Sequence, residues 1–490
     1  MPIKHTSGSG WNLRHTYTSL PEKFYSLQAP VPVKDPSCIL INTSLADELG
    51  LNFAGMDEKG LAQFFAGNLL PEGSQPFAQA YAGHQFGNFT MLGDGRAIMV
   101  GEQVTPEGKV MDIQYKGSGR TVFSRGGDGR STLKAMLREY LISEAMHALG
   151  IPSTRSLAVV STGEPVYREQ VNTGSILTRV AQSHIRVGTF EFARQYLSEE
   201  DLKELLDYTV ERHYPVCRDA ENPALEFFKA VMNRQAELIA NWMRVGFIHG
   251  VMNTDNMSIA GESIDFGPCA FINAYDPKTV FSSIDAQGRY AFGNQPQIAH
   301  WNLSCLASAL IPLFHSDKET AISMAQESLN TFPALYQREW LRVMRNKLGL
   351  VGEEAGDKEL VEDLLDLTQK FKMDYTNTFI ALGSDNFSGT QGMESAEFQE
   401  WYLRWIKRAG SNGQPLEAAQ AIMSAYNPRF IPRNHLVEEA LENAIAGDMN
   451  HFNTLLGLLQ DPYTSKSDFT DYQIAPELDW EENYRTFCGT

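Results

Sequence analysis

Residues 246–267, GFIHGVMNTDNMSIAGESIDFG, constrain the chain more than any other stretch. His249 and Gly250 are followed by Asp255 and Asn256, then by Met257-Ser258-Ile259-Ala260, the pair Gly261-Glu262, and Ser263-Ile264-Asp265-Phe266-Gly267. Gly261-Glu262 reads as the two-residue turn of a hairpin, with an Asp-Asn pair entering one limb and Asp265 ending the other. Folded so, two carboxylates and one amide meet at the hairpin's mouth. Three oxygen donors at one point suit Mg²⁺ holding a nucleoside triphosphate.

The stretch resembles the catalytic loop and Asp-Phe-Gly segment of protein kinases, with one departure. In the kinase pattern H-R-D-L-x-x-x-N the base comes two residues after the histidine and the metal-binding asparagine seven after it. Counting from His249, Asn256 holds the asparagine's place, but Val251 stands where the base belongs and cannot take a proton. Asp255 is the carboxylate left in the loop for such work. The pattern leaves two readings open, an inactive kinase relative or a different transfer reaction.

A chain of 490 residues with 43% apolar side chains supplies the cores of two lobes or two to three domains. A net charge of −19 argues against a nucleic-acid partner, because neutralising phosphates takes basic stripes. The N-terminal MPIKHTSGSGWNLRHTYTSL lacks both the apolar core of a signal peptide and the Arg/Ser bias of a transit peptide. No run approaches the ~18–20 apolar residues of a membrane span, so the expected setting is the cytoplasm, with no membrane partner. Cys38, Cys217, Cys269, Cys305 and Cys488 are scattered without a C-x-x-C pair, which indicates neither a zinc site nor a disulfide framework.

Along the chain, residues 1–75 read as an extension packed against the neighbouring lobe, with a helix at 57–66. Residues 76–190 read as a strand-rich small lobe. Gly93-Asp94-Gly95, between FTML and AIMV, reads as a tight hairpin turn of the kind that covers nucleotide phosphates. Met111 to Lys116 alternates apolar and polar residues as a half-buried strand does, and ends on a lysine placed to reach phosphates. Next comes GSGRTVFSRGGDGRST, with five glycines and three arginines in 16 residues, a composition suited to holding anions by backbone N–H and guanidinium groups. Ser131-Thr132 then caps a helix whose apolar positions are Leu133, Met136, Leu137, Tyr140 and Leu141. A strand lysine followed by a helix has the order in which a kinase pairs its lysine with a helix glutamate. Periodicity favours Glu144 as the buried glutamate, since it lies on the apolar stripe and Glu139 on the far side. The runs LAVVST, PVYREQ and SILTRV read as strands, the last bearing Arg179, with Arg186 shortly after. Beyond about 190 the chain reads as helical: a large lobe at 191–390 containing the central loop, and a helical extension and tail at 391–490. The expected class is α+β, a kinase-like fold of two lobes with a helical C-terminal extension.

Together, LGDGR at 92–96, YKGSGRTVFSRGGDGRS at 115–131, LTRV at 177–180, HGVMNTDN at 249–256 and DFGP at 265–268 resemble the selenoprotein O (SelO, or YdiU) family over nearly the whole chain. The resemblance implies a kinase-like fold that binds ATP in a flipped orientation and transfers AMP to hydroxyl side chains of proteins. It makes Lys116 the strand lysine and Glu139, against the periodicity, its partner. It gives Gly93, Gly95, Arg96, Asp128 and Gly129 to the nucleotide, Arg179 and Arg186 to the phosphates, the proton to Asp255, and Mg²⁺ to Asn256 and Asp265. It also implies a redox element, from which a reversible Cys269–Cys488 disulfide is expected to pin the tail near the site. The expected partners are protein substrates met by a monomer. UMP transfer with Mn²⁺, γ-phosphoryl transfer and an inactive ATP-binding pseudokinase stay open as alternatives.

Overall fold

Apart from a separate hairpin at 82–91, the strand runs between residues 77 and 181 pair into one antiparallel sheet, and strands from the first 41 residues widen it. The computed structural model describes residues 4–6, 9–384, 386–387, 390–411 and 413–487. Its strands are β1 (Lys4–Thr6), β2 (Leu13–Arg14), β3 (Tyr25–Leu27), β4 (Ser37–Ile41), β5 (Leu69–Pro71), β6 (Phe77–Gln79), β7 (Ala82–Gln85), β8 (Asn88–Met91), β9 (Ala97–Val104), β10 (Val110–Lys116), β11 (Ser131–Thr132), β12 (Arg155–Tyr167), β13 (Val171–Ala181), β14 (Phe247–Ile248) and β15 (Ala270–Phe271). The main sheet runs β3-β6-β9-β10-β13-β12-β4, with β2 paired to β9 and β11 to β13. The sequence runs LAVVST and PVYREQ are one strand, β12, whose register on β13 shifts between Ser161 and Pro165.

Helices α1 (Thr43–Glu48), α2 (Glu58–Phe65) and α3 (Leu133–Ala148) belong to this half. As the sequence predicts, α3 starts at Thr132, whose Oγ1 accepts from Ala135 N at 3.3 Å. β10 is buried on both faces from Asp112 onward, where alternation predicted a half-buried strand. Ile113 and Tyr115 pack with Leu45, Phe64 and Phe65 of α1 and α2. The opposite face looks toward α3. The first 75 residues therefore supply the layer over Ile113 and Tyr115 as well as three strands of the main sheet, while α3 covers the face that bears Gln114 and Lys116.

The helical half begins with α4 (Val187–Tyr196), α5 (Glu199–His213), α6 (Pro223–Val245) and α7 (Gln295–Phe314), and nine more helices come after them among the described residues. One of these, Asn434–Ile445, reaches back to α3: Glu438 pairs with Lys134 at 3.0 Å and with Arg138 at 2.9 Å. No helix of the described residues is long and apolar enough to cross a membrane.

Two expected hairpins are absent. Gly93-Asp94-Gly95 does not turn one strand onto the next, because β8 pairs with β7 while β9 joins the main sheet; the three residues cross between sheets. The two limbs around Gly261-Glu262 do not pair either. Val187 N bonds Met257 O at 2.9 Å, Ile259 N bonds Ile185 O at 3.0 Å, and Ser263 bridges Ser153. The segment at 185–187 outcompetes the partner limb, and the turn goes inward. Glu262 is consequently buried, with one carboxylate oxygen accepting from Gln182 N at 2.9 Å.

That burial generates a stability prediction. Burial pushes the Glu262 carboxyl up from 4.5 to about 8. Between those values the folded protein keeps a proton that the unfolded chain has released, so stability falls as pH rises through this window. Glu262→Gln is expected to be more stable than the parent at pH 8, by about 1–3 kcal/mol, and to differ little at pH 5. Urea denaturation midpoints at the two pH values test this; equal effects at both would show that Glu262 is ionised in the fold.

Candidate active site

The alternation of β10 puts Gln114 and Lys116 on one face, and antiparallel register sets Gln114 opposite Arg179 of β13. α3 brings Glu139 to that face. Lys116 Nζ donates to Glu139 Oε2 at 2.6 Å, Arg179 Nε donates to Glu139 Oε1 at 2.9 Å, and Arg179 Nη1 donates to Gln114 Oε1 at 3.3 Å. Asp265 completes the group from the helical side: its Oδ1 accepts from Lys116 Nζ at 2.5 Å and from Arg179 Nη2, and its Oδ2 lies 3.9 Å from Arg186 Nη1. Burial alone would raise the carboxyls of Glu139 and Asp265, but Arg179 and Lys116 outweigh it and hold both below the usual range. Asp265 has a φ of 64°, the left-handed region that aspartate enters more readily than most residues.

The lysine's partner is Glu139, as the family resemblance implies and periodicity does not. Glu144 is just as buried, but it accepts from Arg155 Nε at 2.9 Å, Asn42 Nδ2 at 2.8 Å and Ser156 N at 3.0 Å. Because α3 is buried on both sides, a single apolar stripe cannot tell its glutamates apart.

Arg186 is buried against the same cleft. Its guanidinium lies 4.4 Å over the Tyr81 ring, its Nη1 donates to Asp255 O at 3.2 Å, and its Nε has no partner among the described residues. Asp112 of β10 fixes the preceding turn by accepting from His184 N at 2.8 Å.

The loop after β14 carries the remaining groups. His249 Nε2 donates to Ile264 O at 2.9 Å and burial lowers its basicity, so it serves as a neutral brace. Val251 is buried and chemically inert there. Asp255 sits in a short turn at Thr254–Asn256, and its Oδ1 is buried with no hydrogen-bond partner among the described residues. Burial pushes its carboxyl up to about 6, with Arg186 offsetting part of the rise. The β7–β8 hairpin lies directly over it. His84 N donates to Thr254 Oγ1 at 2.7 Å and Phe86 N donates to Asn253 Oδ1 at 3.0 Å. Gly83 permits this approach, since a Cβ there would stand 2.6 Å from Asp255 Oδ1.

Asn256 Nδ2 donates to Val251 O at 3.0 Å, which leaves its amide oxygen without a donor among the described residues. That oxygen and Asp265 Oδ2 are hard donors of the kind a divalent cation takes.

Other expected residues are placed less centrally. Gly93 and Gly95 pack under the Gly-rich loop, where a Cβ on Gly93 would stand 2.5 Å from Phe123 Cγ and one on Gly95 would stand 3.0 Å from Phe123 O. Arg96 O accepts from Gly117 N at 2.7 Å, and its guanidinium has no partner among the described residues. Asp128 pairs with Arg168 at 2.8 Å on the outside of the loop, and Gly129 O accepts from Gly119 N at 3.0 Å. Neither makes a described contact with the Lys116 cluster. Sequence reasoning passed over Asp94, which is buried, accepts from Gln79 N at 3.0 Å and is pushed up to about 6 by burial, against the pull of Arg186. The aspartate between two glycines was the signal. Cys269 is buried and Cys488 lies outside the described residues, but Thr486 Oγ1 donates to Pro268 O at 2.7 Å.

A family model described as protein adenylyltransferase SelO matches residues 10–460. A protein nucleotidyltransferase YdiU of Nitrosococcus oceani is 53% identical over 483 residues, 98% of each chain. One of the same description from Brevibacillus brevis is 54% identical over 488 residues, 99% of each chain. Among solved structures, ROP2 from Toxoplasma gondii, described as a virulence factor with a protein-kinase fold and no enzymatic activity, is 11% identical. It covers 67% of this chain and 85% of that one with a TM-score of 0.25, a superposition too loose to bear on fold or activity.

The contact over Asp255 can be tested directly. Gly83 does not have a left-handed φ, so an alanine there meets no backbone strain, only the carboxylate. Gly83→Ala is expected to leave the melting temperature nearly unchanged and to cut turnover by about 10²-fold, the effect of displacing a reacting group by about an ångström. Full turnover in a folded variant would remove Asp255 Oδ1 from the chemistry.

Proposed function

The chain belongs to the SelO family of protein adenylyltransferases, and from that membership we propose how its cleft works. It is a nucleotidyltransferase that passes AMP from ATP to proteins. In our reading ATP lies flipped, with its γ-phosphate turned inward to Lys116, Arg179 and Arg186 and its α-phosphate facing Asp255. The observation that carries this is the concentration of three buried cations behind a buried carboxylate whose Oδ1 has no partner among the described residues. Gly93, Gly95, Arg96, Asp128 and Gly129 flank the nucleotide from the small-lobe side.

A Ser, Thr or Tyr hydroxyl oxygen of the acceptor protein attacks the α-phosphorus. The new O–P bond forms as the bond to the bridging oxygen breaks, and pyrophosphate leaves. Asp255 takes the hydroxyl proton; with its titration near 6 it is mostly ionised at pH 7 and close to the ideal basicity for the task. Lys116, Arg179 and Arg186 stabilise the charge on the leaving pyrophosphate, and Glu139 holds two of them in position. Asn256 and Asp265 would hold Mg²⁺, or Mn²⁺ in its place, which when bound supplies charge neutralisation at the phosphates. The acceptor chain is taken to approach along a groove of about 630 Å³ lined by Phe86, Ile284, Asp285 and Arg289. The wall of this groove touches the loop, for Asn253 Oδ1 accepts both Phe86 N and the Tyr290 hydroxyl.

We keep 76–190 and 191–390 as the two lobes, flanked by 1–75 and 391–490, and the working unit as a monomer. The Cys269–Cys488 disulfide also stays a proposal, supported by the anchoring of Thr486 on Pro268. Non-reducing peptide mapping under mild oxidant is expected to recover the linked pair, and two free thiols would remove it.

The central test is ATP labelled at the α- or the γ-phosphate, with a general protein acceptor. Label is expected to enter protein from α-labelled ATP alone, and Asp255→Ala is expected to lose about 10²–10⁴-fold while still binding nucleotide. Label from γ-labelled ATP would make the enzyme a kinase with a relocated base, no label would make it a pseudokinase, and a preference for UTP with Mn²⁺ would change the base transferred. For orientation, Arg179→Ala is expected to weaken ATP binding at least about tenfold and AMP binding little, measured by calorimetry, because charge-assisted phosphate contacts are lost only for the outer phosphates. Equal losses would count against the flipped pose.

A further inference from the structure

Beside the hairpin that covers Asp255 lies a group of side chains the transfer chemistry does not use. His84 on β7, Glu191 on α4 and Cys305 on α7 turn a ring nitrogen, a carboxylate oxygen and a sulfur into one place, all within 4.8 Å of one another. His84 Nδ1 lies 2.5 Å from Glu191 Oε1. Glu191 is only 6% exposed, and its second oxygen, Oε2, has no hydrogen-bond partner among the described residues. A buried carboxylate oxygen without a donor is costly, and a cation removes that cost.

Cys305 is half-buried and reaches the same carboxylate. Burial and Glu191 push its thiol up to about 12, against smaller pulls from Ser304 and Arg289, so the free thiol is protonated. A metal ion reverses that by taking the thiolate and expelling the proton to water. The rings of Phe89 and Trp301 stand 5.2 Å from the His84 ring and shield the place on two sides.

We propose that His84, Glu191 and Cys305 form a second metal site, distinct from Asn256 and Asp265, that takes Zn²⁺ through one nitrogen, one oxygen and one sulfur, with water as the fourth ligand. The donor set excludes the hard cations of the nucleotide site: a thiolate with an imidazole selects a borderline-soft ion, and three protein ligands plus an open position is an established zinc arrangement. Ligand spacing in the sequence hides it. His84 and Glu191 are 107 positions apart, and no local motif joins either to Cys305. The site ties β7 to α4 and α7, so a bound ion would fasten the hairpin whose Gly83 and His84 touch the Asp255 loop.

The test uses full-length protein stripped with chelator, without nucleotide, titrated with Co²⁺ as the spectroscopic probe for Zn²⁺. One equivalent is expected to give a thiolate-to-cobalt charge-transfer band in the near ultraviolet, abolished by Zn²⁺ and unaffected by millimolar Mg²⁺. Cys305→Ser is expected to lose that band and Cys217→Ser to keep it, while Glu191→Gln weakens Co²⁺ binding at least tenfold. Zn²⁺ is also expected to raise the melting temperature and slow amide exchange across 82–91 in the parent but not in Cys305→Ser. Absence of the band at one equivalent, its survival in Cys305→Ser, or its displacement by Mg²⁺ would each overturn the proposal.

Discussion

Four charges taken out of water together, Lys116, Arg179, Glu139 and Asp265, are the interaction on which the rest of the structure depends. They come from β10, β13, α3 and the loop before β15, so the group exists only when sheet, helix and loop are all in place. Such a cluster adds little net stability, because desolvation offsets the attraction, yet removing one member leaves a buried charge unmatched at a cost of about 3–5 kcal/mol. It therefore specifies an arrangement more than it stabilises one. Both cations are satisfied by carboxylates, and Asp265 Oδ1 takes both; in the proposed mechanism a triphosphate competes with it for them.

The cleft divides its carboxylates into two sorts. Glu139 and Asp265 face cations and are held anionic, whereas Asp94 and Asp255 are buried with less compensation and titrate near 6. Environments that push like groups apart are how a site assigns some carboxylates to binding and another to proton transfer. In the proposed mechanism Asp255 does without the place that Val251 occupies; what it has is burial, a neighbouring arginine and an oxygen with no partner among the described residues.

Much of this was legible in the sequence where chemistry and local pattern agreed. Lys116 at a strand end and the Thr132 cap of α3 follow from local pattern, and the convergence of Arg179, Arg186 and Asp265 follows from the family resemblance. What failed was tertiary. The Gly261-Glu262 turn carried a hairpin signal, but backbone pairing with 185–187 was the stronger option, and only the fold brings that segment near. The same holds for Gly93-Asp94-Gly95, whose flanking strands enter different sheets. The choice between Glu139 and Glu144 was not decidable from periodicity, since α3 has partners on both sides, and it was the family resemblance that pointed to Glu139.

Helix α3 is held from outside as well as from within. Arg138, beside Glu139, donates to Gly267 O at 3.2 Å and to Cys269 O at 2.7 Å, while Glu438 from the C-terminal helices takes its other nitrogen and also Lys134. In protein kinases the corresponding helix swings, and activity is switched by making and breaking the lysine–glutamate pair. Here the corresponding helix is held at three points, Gly267 O, Cys269 O and Glu438, so an outward swing would have to break all three contacts together with the lysine–glutamate pair.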